Sequence, residues 1–375
     1  MITIEKIETA KKLGLFIDFP HELYKGDKNY VPELYLAQKD LLSPHKHPFF
    51  EHSKLDLFLA YKNNKIVGRI AAIRNNNHHK FTGIDTEGFF GFFECIDDYE
   101  VAKKLFDAAV DWVKKEGLTS IIGPTNFSTN ETCGWLLTGY DSPPVILMTY
   151  NKEYYLKFAE QYGLVKKIDL LAYNITSEKV SEKSIRISAA IENRLKDKGI
   201  TFRLVNMKNY NEEALNVKTI YNAAWDKNWG FVPMTDNEFL HLAKEMKSIV
   251  DPELCYAAMH EGKMIGFSLA IPDINIVLKD VKRGRLLPFG IFKLLFNRRK
   301  INRIRLVALG VLENYRKMGI EAVFYARTIT VGRSKNMNCC EASWILESNE
   351  MMNQGIKNIN GELYKTYRMY SKSLV

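Results

Sequence analysis

The segment with the clearest chemical potential runs Ala308-Leu-Gly-Val-Leu-Glu-Asn-Tyr-Arg316-Lys-Met-Gly319-Ile-Glu321. An apolar strand enters a turn containing Arg316-x-x-Gly319, and a helix follows with Ile320, Val323, Phe324 and Val331 on its buried face. The first amides of a helix have no partner within it, and the helix dipole favours an anion there. Gly319 lets backbone approach a ligand closely. Arg316 and Lys317 can add charge-assisted hydrogen bonds, and the amides around Met318 and Ile320 complete the turn. A pyrophosphate is the natural guest, although a glycine-capped turn without a ligand uses the same residues.

The elements that position this turn occur twice. Phe58–Ile73 and Tyr256–Ile271 read alike: an apolar strand, a polar turn at Asn63-Asn64 or Glu261-Gly262, and a second strand carrying Gly68 or Gly266. The offset is 198 residues, with five of sixteen positions identical, and it also carries Asn151 onto Asn349 and Gly163 onto Gly361. A period this long indicates two duplicated domains, not a solenoid.

In the first half the pattern predicts strands at 88–95, 119–123 and 165–175, helices at 101–116 and 151–162, and a loop over 124–144. In the second it predicts strands at 201–205, 303–311 and 338–346, a hairpin over 255–271, and helices near 213–226, 237–248 and 319–334. The expected division is 1–176, a charged helical linker at 177–200, and 201–375. The first half has Cys95-Ile-Asp-Asp-Tyr-Glu-Val101 where the second has its glycine turn, and acidic residues there repel phosphate.

At 375 residues the chain is long enough for two cores, and 46% hydrophobic with 26% charged residues indicates a globular protein. No apolar run reaches the length of a membrane span, and the N-terminus reads as a strand and not as a signal peptide. A cytoplasmic location is therefore expected. The five cysteines have no C-x-x-C spacing and read as reduced thiols. No metal site is expected, with His78-His79 and His45/His47 placed in polar loops. The net charge of +9 attracts anions without choosing among them.

The Arg316-x-x-Gly319 turn resembles the R-x-x-G-x-G/A loop of the GNAT (N-acetyltransferase) superfamily, whose amides hold the CoA pyrophosphate. The resemblance extends to a group of tandem two-domain GNAT-like bacterial proteins through Asp18–Tyr24, Tyr30–Leu34, His47–Phe50, Gly91–Glu94, Ala342–Asn349 and Tyr364–Tyr370. It implies a mixed α/β fold of two tandem GNAT-like domains, each a largely antiparallel sheet flanked by helices. It also implies acetyl-CoA or another acyl-CoA as co-substrate in the second half. Backbone at Leu309, Gly310 and Val311 would meet the pantetheine arm, and Asn349 would contact the cofactor. Three departures stand out. Glu321 occupies a small-residue position, Ile356 stands where many members have tyrosine, and Arg305 lies near the place of a strand carboxylate.

The implied reaction is N-acylation of a small amine or amino-acid-like acceptor. Glu347, at the end of a strand before Asn349, is the first candidate base and Glu313 the second. Tyr364 and Tyr367 are candidates to protonate the thiolate, and each also reads as a half-buried strand aromatic. A non-catalytic acyl-CoA binder and an aminoacyl-tRNA-dependent peptidyl transferase are the alternatives, the glycine turn arguing against the latter. The basic, apolar insertion Lys279–Lys300 reads as a helical hairpin packed by its apolar side on the other domain. Contact with a membrane surface is the less favoured reading, and no nucleic-acid reader is recognisable. Nothing in the sequence specifies an oligomeric state.

Overall fold

The computed structural model describes residues 1–375. The first half contains β1 (Ile2–Lys6), α1 (Ala10–Leu23), α2 (Tyr35–Leu41), β2 (Lys54–Lys62), β3 (Lys65–Arg74), α3 (Asn76–Thr82), β4 (Glu87–Cys95), α4 (Tyr99–Lys115), β5 (Ser120–Gly123), β6 (Trp135–Thr138), α5 (Tyr154–Gln161) and β7 (Val165–Thr176). The second contains α6 (Glu182–Lys196), β8 (Ile200–Leu204), α7 (Tyr210–Trp225), α8 (Asp236–Met246), β9 (Cys255–His260), β10 (Lys263–Pro272), α9 (Asn275–Leu278), α10 (Gly290–Asn297), β11 (Arg303–Val311), α11 (Ile320–Ser334), β12 (Cys339–Leu346), α12 (Glu350–Asn358) and β13 (Glu362–Ser373).

Local chemistry sets these boundaries. The two repeat hairpins turn at Asn63-Asn64 and Glu261-Gly262, all four residues at positive φ, as two-residue turns between twisted strands require. Helix α4 starts where the Asp98 side chain accepts from the Glu100 amide, and it buries Val101, Leu105, Phe106, Ala109 and Val113 at helical spacing. The stretch expected as loop over 124–144 contains one short strand, β6, which pairs with β13.

The strands form one sheet in the order β1-β2-β3-β4-β5-β13-β7-β12-β11-β10-β9-β8. The last strands of the two halves are exchanged: β13 pairs β5 of the first half, and β7 pairs β12 of the second. The two exchanged strands also pair with each other from Glu362↔Asn174 to Ser371↔Val165. A cut after residue 176 therefore divides the sequence without dividing the sheet.

In each half two parallel strands pair only briefly and then part. β4 and β5 pair over 87–89 and 120–122, and β11 and β12 over 303–306 and 339–342. Beyond its split β4 is buried throughout, with Phe90 and Phe93 packed against Trp135, and Phe93 against Tyr155 as well. Beyond the second split Val307, Ala308 and Leu309 remain half-buried, and their edge facing β12 has no pairing strand.

Candidate active site

The Arg316–Gly319 turn forms as a strand–turn–helix. Gly319 has φ +96 and Lys317 φ +64, and the first helical bond of α11 runs from the Val323 amide to the Gly319 carbonyl. The amides from Lys317 through Ala322 consequently have no acceptor within the protein. Glycine is needed at 319 on two counts, because a Cβ there would adopt a left-handed conformation and lie 2.8 Å from Ile191 Cγ2 of α6.

The rest of the turn differs from expectation. Arg316 spends two of its five guanidinium donors inside the protein: its Nε donates to the Val311 carbonyl and its second guanidinium nitrogen to the Ala224 carbonyl, both at 3.1 Å. It thereby ties the end of β11 to α7. Lys317 is exposed, and the Glu321 carboxylate sits in the first turn of α11. Gly310 lies beneath the Trp225 ring, where a Cβ would come within 2.6 Å. Asn349 caps α12 by accepting from the Met352 amide at 3.1 Å. Ile356 is fully buried in the apolar core.

The four acid–base candidates separate into two places. Glu347 is on the surface, accepting from the Asp169 amide at 3.0 Å and pairing with Lys166 at 2.7 Å, so it fastens the end of β12 to β7. Glu313 is exposed and pairs with Lys227 at 2.9 Å, which lowers its pKa. Tyr364, half-buried, instead reaches inward so that its hydroxyl donates to Glu341. Tyr367 is completely buried with its hydroxyl unpartnered, and burial pushes its pKa far up.

These tyrosines belong to a buried polar cluster beside the β11/β12 split. Arg305 and Glu341 face each other in the strand register. Arg305 donates to the Ile146 carbonyl at 2.9 Å, the Ser343 carbonyl at 3.1 Å and Ser343 Oγ at 3.2 Å. Glu341 accepts from Ser343 and Tyr364. Burial raises its pKa, and Arg305 opposes that rise. Lys365 is fully buried, donates to the Ser142 carbonyl at 2.7 Å, and is lowered by burial to about 8. Asp273 accepts from the Ile146 amide at 2.9 Å, so the first half's 142–148 segment closes the cluster. Two buried donors have no partner here, Trp344 Nε1 and the Tyr367 hydroxyl, with their rings edge-to-face at 6.0 Å. The available sequence signal was charge inside apolar strands, Glu341 in Cys-Cys-Glu-Ala-Ser-Trp and Arg305 in Arg-Ile-Arg-Leu-Val.

A cavity of about 240 Å³ lies between the halves, lined by Phe89, Ile122, Met369, Trp229 and Val232 with His78 and Glu87 on its wall. His78 and His79 are not in a polar loop. Both are buried on α3, held by Glu87: His78 Nε2 lies 2.8 Å from the carboxylate and His79 Nε2 2.7 Å from its carbonyl. The bond to His78 lowers the pKa of Glu87. The second half contributes the Trp229–Val232 segment, which Thr129 and Asn130 hold through the carbonyls of Gly230 and Val232.

No family model matches the chain. Two curated proteins match along its whole length. The bacterial ceramide synthase of Caulobacter vibrioides is 33% identical over 383 residues, covering 100% of this chain and 98% of that protein. Protein YghO of Escherichia coli is 34% identical over 371 residues, covering 96% and 93%. The chain belongs to their family. Among solved structures, a tandem GNAT protein from the clavulanic acid biosynthesis pathway aligns with TM-score 0.58 at 10% identity, covering 100% of this chain and 99% of that one. A GCN5-related N-acetyltransferase from Sphaerobacter thermophilus aligns with TM-score 0.55 at 11% identity, covering 100% and 96%. The fold is that of a tandem GNAT protein. No helix is long and apolar enough to cross a membrane.

Proposed function

We propose that the protein is an acyl-CoA-dependent N-acyltransferase that joins a fatty acyl group to the amino group of a long-chain amino alcohol, giving a ceramide-type amide. The observation that carries the acyl-CoA part is the run of unpartnered amides from Lys317 to Ala322 at the start of α11. Such a run fits a pyrophosphate, with exposed Lys317 and the remaining donors of Arg316 adding charge. What supports the acceptor class is the full-length similarity to the Caulobacter vibrioides protein named a ceramide synthase. A small amine or amino-acid acceptor, and acetyl-CoA as donor, are the narrower alternatives that the assay below compares.

In this reading the pantetheine arm runs along the open edge of Val307–Leu309, towards Gly310 and Val311, and the thioester lies where β11 and β12 part. Trp344 Nε1 and the Tyr367 hydroxyl are buried donors lacking acceptors, as stabilisation of a tetrahedral oxyanion calls for. The amine nitrogen attacks the thioester carbonyl, the C–S bond breaks, and the amide forms. The amine proton passes to Glu341 through Ser343 or Tyr364, a role suited to a carboxylate whose pKa burial raises. Tyr364 then supplies a proton to the departing thiolate and takes back the proton held by Glu341 across their hydrogen bond, so that the amine proton ends on the thiol. Glu313 and Glu347 have no chemical part, and Asn349 serves by positioning α12. The cavity beside His78 and Glu87, apolar only along Phe89, Ile122, Trp229, Val232 and Met369, takes the acceptor's chain. The first half contributes walls and strand β7, not a second CoA site.

The test is incubation of the purified full chain with acetyl-, octanoyl- or palmitoyl-CoA and either sphinganine or a panel of amino acids and short amines. Thiol release and product mass are measured together. Release of CoA with an N-acyl-sphinganine product supports the reading. Turnover of the small amines alone would replace the acceptor class, and tight CoA binding with no thiol release from any pair would identify a binder and not an enzyme.

A further inference from the structure

The insertion between β10 and β11 has an inner and an outer side. Inside, Val277, Leu278 and Val281 join Ile146 and Ile274 in a core, and Leu286 and Leu294 pack on it. The insertion is anchored to the first half: Arg285 forms a two-point bond to Asp18 at 2.7 and 2.8 Å and lies over the Tyr35 ring. Gly284 fits where a Cβ would collide with the Glu33 carbonyl. So far the insertion packs as its sequence suggests.

The outer side does not. Leu287, Phe289, Phe292, Leu295 and Phe296 all project into solvent, Leu287 and Phe296 at 76% and 79% exposure. On α10 the Phe292 and Phe296 rings are near parallel at 6.4 Å, one turn apart on the same face. A firmly seated segment that exposes five large apolar side chains within ten residues is covered by something in use. Exposed Lys282, Lys293, Arg298, Arg299 and Lys300 surround them, and no Asp or Glu occurs between Asp280 and Glu313.

We propose that the α10 face docks on an anionic lipid bilayer, with Leu287, Phe289, Phe292, Leu295 and Phe296 entering the headgroup–acyl boundary and the basic residues against lipid phosphates. An apolar tip with a basic rim is the pattern that such surfaces bind. A second copy is the wrong partner on charge: a twofold contact would set this basic rim against itself, since the neighbouring carboxylates Glu22 and Asp18 are already paired with Arg283 and Arg285. The proposal does not depend on acyl transfer, since docking is read without substrate.

The experiment is flotation of the full chain with vesicles of pure phosphatidylcholine or of phosphatidylcholine containing about a third phosphatidylglycerol, with sedimentation velocity of the lipid-free protein alongside. Binding to the anionic vesicles is expected, weakening strongly as salt rises from about 0.05 to about 0.5 M. Arg298→Gln/Arg299→Gln/Lys300→Gln should lower that binding roughly 100-fold, at about fivefold per basic residue. Phe292→Ser/Phe296→Ser should reduce binding to both vesicle types while leaving the thermal midpoint unchanged, since both rings are exposed. Absence of binding to anionic vesicles, binding that the variants do not alter, or a dimer that Phe292→Ser/Phe296→Ser disperses would each overturn the proposal.

Discussion

Replacing either member of the Arg305–Glu341 pair should destabilise the protein, and the two replacements should differ in their pH dependence. Arg305 is buried with carbonyl and hydroxyl acceptors from Ile146 and Ser343, and Glu341 is the carboxylate opposite it. A guanidinium does not give up its proton in a protein. Glu341→Gln therefore takes the facing carboxylate from a buried guanidinium whose direct partners are the Ile146 and Ser343 oxygens, at a cost of about 1–3 kcal/mol. Arg305→Met leaves a carboxylate instead, and a carboxylate can escape by taking a proton. Burial already raises the Glu341 pKa, and Arg305 is the largest influence lowering it, so in Arg305→Met the folded-state pKa rises further above the unfolded value. A raised folded-state pKa means that the folded chain binds the proton more tightly. That contribution is complete below the unfolded pKa and is lost as pH rises through the folded one, at up to about 1.4 kcal/mol per pH unit. Arg305→Met should thus lose clearly more stability relative to wild type at pH 8 than at pH 5, whereas the Glu341→Gln deficit should not grow in that direction. Urea denaturation of both variants and the double variant at the two pH values measures this. A Glu341→Gln cost below about 1 kcal/mol, or equal Arg305→Met deficits at both pH values, would refute the reasoning.

Gly319→Ala should cost roughly 1–2 kcal/mol for its left-handed backbone and a further 1–3 for the approach to Ile191. Adding Ile191→Ala should recover only the second part, as a denaturation cycle would show. Trp344→Phe keeps the ring and removes the unpartnered N–H; thiol-release kinetics should show kcat falling about 100-fold with KM little changed. Residues 1–176 expressed alone should aggregate, because β5 and β7 both lose β13 and β7 also loses β12. A monomeric, cooperatively melting fragment would contradict that.

Much of the layout was legible because it rests on local signals. The 3.6-residue spacing of Val101, Leu105, Phe106, Ala109 and Val113 marked α4, and paired turn residues marked both hairpins. The strand exchange was not legible: β7 and β13 mix polar and apolar residues like any half-buried strand, their partners are chosen by tertiary packing, and no local residue records that choice. The same limit applied to the site. Arg316 reads as a phosphate ligand, and the sequence does not show the nearby carbonyls of Val311 and Ala224 that take two of its donors. Glu341 and Arg305 became a pair only when β11 and β12 came into register. His78 and His79 looked like loop residues because Glu87, which holds them, lies beyond a helix end and a turn. The insertion's exposed face was hidden for the opposite reason, since apolar residues in a sequence suggest burial and five of these are exposed.

Amide hydrogen exchange with and without palmitoyl-CoA tests the central claim most directly. Bound CoA should slow exchange at Lys317–Ala322, whose amides are otherwise unpartnered, and leave the Ile96–Asp98 turn of the first half unchanged. Protection at that first-half turn, or none at 317–322 under saturating ligand, would contradict the account.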